Sequence, residues 1–174
     1  MAAGNTYTPI ATTTLASVSS VITFSSIPST YTDLVLIAYF SKTATNSTTP
    51  SLTVNNDTGA NYGQHTFGWV NGGVWTGTAS SGSSITPSTG GYVPVGTTYW
   101  CNYQIDFMNY KNTTTNKVIL VRNNNPDADT YGSGPGRQIG SWKSTAAINR
   151  IDFTVSSSTF VVGSTFTLYG ITAA

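Results

Sequence analysis

Glutamate is absent from this 174-residue chain, and the charged residues together make up 7% of it, where an ordinary globular domain carries about 25%. Cysteine is reduced to Cys101 and histidine to His65. A disulfide-stapled scaffold is therefore excluded. So is a histidine pair or cluster for a transition metal within one chain. Leucine occurs six times, and without Glu and with few Lys the usual material of helix faces is missing. No apolar run approaches the roughly 18 residues of a membrane-spanning helix. The opening Met1-Ala2-Ala3-Gly4-Asn5 has neither a cationic stretch nor an apolar one, so no secretory signal is expected.

The seven cations Lys42, Lys111, Lys117, Arg122, Arg137, Lys143 and Arg150 are dispersed, and the formal net charge is +1. No basic stripe stands out, so the electrostatic footprint of a nucleic-acid binder is missing. Weak self-repulsion suits a protein that associates.

What fills the chain is small and polar: 31 Thr, 21 Ser and 14 Asn, alongside 39% hydrophobic and 12% aromatic residues. That is enough apolar material for one core, and the length fits one domain. Alternation with a period of two is the dominant pattern. Across residues 98–110, Tyr99, Cys101, Tyr103, Ile105 and Phe107 share one parity, and Trp100, Asn102, Gln104, Asp106 and Met108 share the other. On a strand these are a core face and a wetter face. Residues 149–155 and 165–171 alternate likewise. Residues 34–40 are apolar on both parities, as a central strand covered on two faces would be. Residues 117–122 make a further apolar run, and weaker strands are expected at 18–24, 51–55, 65–71 and 73–79. Asn71-Gly72-Gly73 reads as a hairpin turn. Residues 144–148 have room for a single helical turn.

Eight to ten short strands with regular turn signals predict an all-β fold, a single antiparallel β-sandwich of jelly-roll type. A closed barrel carries the same signature. The expected organisation is an extended arm over residues 1–9 and a sandwich over 10–174. Three segments, 41–50, 80–97 and 123–136, are too long and polar for tight turns, and long loops on a β scaffold often carry contacts.

Chemistry-bearing constellations are few. General acid–base work needs paired titratable groups, and the six Asp are scattered. No nucleophile-elbow motif surrounds any Ser that might use His65, which reads as a polar residue on a strand. Cys101 falls in phase with core residues and reads as a buried, inert thiol. Asn125-Pro126-Asp127-Ala128-Asp129 gathers carboxylates, but it lacks the Gly and the bidentate Glu of an EF-hand loop. The sequons at Asn46, Asn56 and Asn112 are no more than the about four that composition alone produces. No enzyme activity, metal or cofactor is expected. The aromatic residues are the better lead, because Tyr and Trp anchor interfaces and grip sugars. The candidate interface residues are Tyr7, Trp69, Trp75, Trp100 and Trp142, with Asp127 and Asp129 in the long loop.

Four stretches carry a resemblance. They are Tyr7-Thr8-Pro9-Ile10-Ala11-Thr12, Phe24-Ser25-Ser26-Ile27-Pro28-Ser29-Thr30-Tyr31-Thr32-Asp33-Leu34, Trp142-Lys143-Ser144-Thr145-Ala146-Ala147-Ile148-Asn149-Arg150-Ile151-Asp152 and Gly163-Ser164-Thr165-Phe166-Thr167-Leu168-Tyr169-Gly170-Ile171. Together they resemble small β-rich virion structural proteins of tailed bacteriophages, particularly cyanophages, of head-decoration or tail-fibre type. The likeness runs over almost the whole chain, with residues 41–97 the least distinctive. It implies a virion component made in the bacterial host cytoplasm, and it offers no catalytic residues. The expectation it raises first is a capsid decoration (cement) protein, a homotrimer bridging subunits of the major capsid protein. The alternative is a tail-fibre or receptor-binding module, with tail proteins as neighbours and a host surface glycan or protein as ligand. Neither nucleic acid nor membrane is an expected partner.

Overall fold

Alternating side chains fold into antiparallel ladders. The computed structural model describes residues 6–43, 49–70, 73–87, 97–124 and 135–172, and the side chains of residues 69, 70 and 75 lie outside that description. In chain order the strands are β1 (Tyr7–Thr14), β2 (Val21–Phe24), β3 (Asp33–Phe40), β4 (Pro50–Val54), β5 (Tyr62–Val70), β6 (Gly73–Gly82), β7 (Cys101–Met108), β8 (Lys117–Asn124), β9 (Gly136–Trp142), β10 (Ile151–Val155) and β11 (Thr165–Ile171). An eight-stranded sheet runs β1-β11-β3-β7-β8-β9-β5-β6, and a three-stranded sheet runs β2-β10-β4. They pack as a β-sandwich.

The winding is that of a jelly roll with additions. Leu52 of β4 forms an isolated bridge with Ile85, through N–H donations of 2.8 and 3.0 Å in the two directions. This makes residues 83–87 a rudimentary fourth strand of the small sheet. The chain then alternates between β1-β11-β3-β7 and β2-β10-β4 plus this segment. The β5–β6 and β8–β9 hairpins are inserted, and they extend the large sheet beyond β7.

Between the layers lies a plug of rings. Phe40 of β3 approaches Tyr103 of β7 at 5.2 Å and Phe160 at 5.1 Å between centroids. Phe153 of β10 stacks on Phe160 at 5.7 Å, and Phe160 meets Phe166 of β11 edge-on at 5.0 Å. All five are completely buried. Offset and edge-to-face pairs add to the burial of such large side chains.

Beyond β7 the inner layer changes character. Ile85 lies so close to β9 that a Cβ on Gly140 would sit 2.5 Å from its Cδ1. Beside it, the buried Gln138 donates to Thr66 Oγ1 at 3.0 Å and to the Thr86 carbonyl, while Thr86 N–H donates to Gln64 Oε1 at 2.8 Å. Polar contacts thus fill the middle of this half, while Tyr62 of β5 and Trp142 of β9, paired opposite one another, bury their rings at its end.

Three expectations need amendment. Residues 7–9 are not an arm but the start of β1, with Tyr7 opposite Ile171 and Pro9 opposite Tyr169. The rest of the expected arm, residues 1–5, lies outside the described residues. Residues 144–148 form a bend, not a helical turn: the Thr145 carbonyl accepts from Lys117 Nζ at 3.2 Å, and Ile148 N–H donates to the Tyr110 carbonyl at 2.9 Å. With its polar groups engaged by other segments, this stretch makes no local turn of helix. On β3, Leu34, Leu36, Ala38 and Phe40 are buried, but on the opposite face Val35 is buried, Ile37 half-buried and Tyr39 exposed. The second face is covered only in part.

Phe153 meets all four other rings of the plug. Phe153→Ala should cost about 3–5 kcal/mol, read as a lower urea midpoint at unchanged slope. A cost below about 1 kcal/mol would mean that the rings do not hold the layers together.

Candidate functional site

The outward face of the large sheet is where chemistry-bearing side chains converge. Pairing register sets their rows. Gln104 of β7 lies opposite Arg122 of β8, Arg122 opposite Arg137 of β9, and Arg137 opposite Phe67 of β5. A parallel row runs Asp106, Leu120, Ile139 and His65. All of these residues have the outward parity of their strands.

Their surface is hollowed. A depression of about 340 Å³ is lined by Phe67, Asp106, Leu120, Arg122, Arg137 and Ile139, among others. It shares Phe67, Arg122 and Arg137 with a depression of about 380 Å³ towards Asn123 and Gly136. A third, of about 440 Å³, places Asn102, Gln104 and Asn124 beside Arg122. The three form one trough across β7, β8, β9 and β5. A further hollow of about 400 Å³ holds His65, Thr78 and Lys143.

Electrostatics in the trough are uneven. Asp106 Oδ2 accepts from Arg122 at 2.9 Å, and Asp106 Oδ1 accepts from Gln104 Nε2 at 3.0 Å. These bonds fix one guanidinium. Among the described residues, Arg137 has no such carboxylate. Phe67 is 50% exposed beside it.

The residues singled out in the sequence are scattered. Tyr7 is 57% exposed on edge strand β1 and meets Tyr169 edge-on at 6.1 Å. Trp100 is half-buried, stacked at 5.0 Å on the exposed Tyr39. These two rings form a platform over the Gly163 turn, where φ is +86°. Asp127 and Asp129, with the carboxylate loop they belong to, lie outside the described residues, as do the side chains of Trp69 and Trp75. Trp142 is not an interface residue within this chain: it is 3% exposed, and its indole N–H donates to Asp57 Oδ2 at 2.6 Å.

Asp57 is the centre of a structural node. Gly59 N–H donates to its Oδ1 at 2.8 Å and Asn61 Nδ2 to its Oδ2 at 2.9 Å. The Trp142, Asn61 and Gly59 donors hold its carboxyl below the usual carboxylate range. Next to it, the buried Tyr62 hydroxyl accepts from Val54 N–H at 3.0 Å, and burial pushes that phenol up to about 12. Cys101 is fully buried, and desolvation raises its thiol to about 12, against a smaller opposing effect from Lys42. The burial expected from its phase is found. His65 sits on the outward face of β5, exposed, with Ile139 and Thr78 as cross-strand neighbours. No group of three His, Cys, Asp or Glu among the described residues could hold a metal ion.

The sequence reading missed Phe67, Arg122, Arg137 and Ile139. Each has the outward parity of its own strand, but the pairing that joins them is not written in any one segment. No family model matches the chain, and no curated protein or solved structure matches it significantly.

Two tests follow from these environments. The depressed Asp57 pKa contributes stability that is present above the ordinary carboxylate value and lost as pH falls through the folded one. Asp57→Asn should therefore lower the melting temperature at neutral pH and flatten its decline below about pH 4, measured by calorimetry across that range. An unchanged acid limb would remove this role. Cys101 should ignore Ellman's reagent in the native protein and react stoichiometrically in guanidinium. Fast native reaction would contradict its burial.

Proposed function

We propose that this chain is a structural protein of a bacteriophage virion, and in particular a capsid decoration protein. It bridges capsid subunits and, as a trimer at positions of threefold symmetry, raises the cost of separating them. The observation that carries the reading is the chemistry of the sheet edges. The two edges of the large sheet are β1 and β6, and neither Tyr7–Thr14 nor Gly73–Gly82 contains a charged residue. Edge strand β2 has none either, and the first charged side chain of the chain is Asp33. Soluble monomers usually guard such edges with Lys, Pro or other charge. Here Pro9, at the bulge in β1, guards one end of that edge and Lys143, which donates to the Ser80 carbonyl, reaches β6, while the stretch from Ala11 to Thr14 carries neither charge nor proline. Exposed Tyr7, Val18, Val21 and Val162 add apolar surface. Unguarded strands beside apolar side chains suit strand addition to a neighbour. The resemblance of the strand and turn segments to virion proteins supports the same reading.

A second reading, a tail-fibre or receptor-binding module, is favoured by the trough on the outward face. It differs from the first in where the chain sits on the particle and in how many copies are present.

Quantitative mass spectrometry of purified particles separates the two readings. A copy number equal to that of the major capsid protein, or a simple fraction of it, supports decoration. A number too small for a shell lattice supports the tail, and absence from particles overturns both. Thr12→Lys, placing charge on the open stretch of β1, should cut particle occupancy at least tenfold while changing stability by no more than about 0.5 kcal/mol. Full occupancy by this variant would overturn the edge mechanism.

A further inference from the structure

We propose that the trough across β7, β8, β9 and β5 is a binding site for an acidic oligosaccharide, a glycan whose sugars carry carboxylates. The inference stands on side chains that the edge mechanism does not use, and it holds whether the chain sits on head or tail.

Charge comes first. Arg122 and Arg137 are direct cross-strand partners, which brings their Cβ atoms to about 5 Å. Like charges so placed repel one another. Asp106 offsets one of them, through Arg122 Nη2 at 2.9 Å, and among the described residues no carboxylate does the same for Arg137. Among the described residues the trough therefore holds one surplus positive charge. It also offers guanidinium donors in the planar fork that matches a carboxylate. Gln104, by bonding the other oxygen of Asp106 at 3.0 Å, fixes the carboxylate that orients Arg122. An anion spanning the two guanidiniums removes the repulsion.

Shape and the remaining side chains select a sugar chain over a bare ion. Phe67 presents a half-exposed ring next to Arg137, a face suited to the apolar C–H side of a pyranose. At the other end Asn102 and Asn124 are cross-strand partners beside Gln104 and Arg122. Side-chain amides donate and accept together, as neighbouring hydroxyls require. From β7 to β5 the trough crosses three inter-strand gaps, about 14 Å in all, the reach of a short oligosaccharide. Its component hollows of about 340 to 440 Å³ fall within the range of ligand sites. The lining residues stand on paired strands, so the site is formed before the ligand arrives.

The test uses the full chain and isothermal titration against a panel of uronate, sialylated and pyruvylated oligosaccharides. Trigalacturonate and its methyl ester form the reference pair. Binding of at least one acidic glycan is expected, with affinity falling tenfold or more on esterification, on Arg137→Gln and on Phe67→Ala. It should also weaken with added salt. Arg137→Lys, which keeps the charge and loses the fork, should fall between wild type and Arg137→Gln. Both variant positions are exposed, and a melting curve matching wild type shows that each variant is folded. Binding of no panel member, equal binding of acid and ester, or indifference to Arg137→Gln overturns the proposal. So does equal competition by inorganic phosphate, which would mean an anion site without sugar recognition. Because the titration needs no virion, its failure leaves the copy-number result untouched, and the reverse holds.

Discussion

Five rings hold this molecule together. Phe40, Tyr103, Phe153 and Phe166 come from strands of both sheets, Phe160 from the connection between β10 and β11, and they meet in one buried cluster. A chain with so few leucines has to fill the space between its layers with large flat residues, and these supply much of the area that folding removes from water. Phe160 has a second duty. Its backbone bridges both Ser19 and Lys42, so the residue at the middle of the plug also ties together the ends of the segments wrapped around it. The jelly-roll strands converge on this point, and the inserted hairpins grow outward from it.

That division between frame and insertion organises the functional surfaces. The open edge β1 belongs to the frame, while β6, the other open edge, belongs to an inserted hairpin. The trough starts on β7 at the rim of the frame and runs across β8, β9 and β5 of the insertions. A jelly roll needs none of these extra strands to close its core. Their effect is to widen one sheet into a platform whose inner side rests on residues 83–87 and whose outer side is left to carry side chains of mixed chemistry. The surfaces assigned to assembly and to ligand are thus the margin and the broad face of a single sheet.

Much of this was legible in the sequence, and the parts that were not have physical reasons. The strands with strict alternation, such as those around Phe107, Phe153 and Leu168, announced themselves because one face is dry and the other wet. β9 did not, since its pattern is inverted: Gln138 and Gly140 point inward while Ile139 faces solvent. The inward amide nitrogen donates to Thr66 and Thr86, partners from two other segments that no local window contains. β1 escaped notice because it is an edge strand, rich in threonine, with no residue fully buried. Trp142 looked like an interface anchor, but its indole is claimed by Asp57, 85 residues earlier. The trough was invisible for the same kind of reason. Arg122 and Arg137 become neighbours only through register, which is a property of the pairing and of neither strand alone.

The polar inner layer under β9 and β5 has a further consequence. Cooperative units follow the distribution of buried apolar contact, and here that distribution is lopsided, with the five-ring cluster on the frame side and, on the insertion side, amides and hydroxyls under the middle of β9 and β5 beside the buried Tyr62 and Trp142. The two halves should therefore have different opening free energies, with amide protons of β5 and β6 exchanging through excursions that leave the ring cluster intact. The trough straddles the seam between them. Whatever occupies it joins a slow-exchanging half to a fast-exchanging one, and so acts as a clasp on the breathing of the sheet.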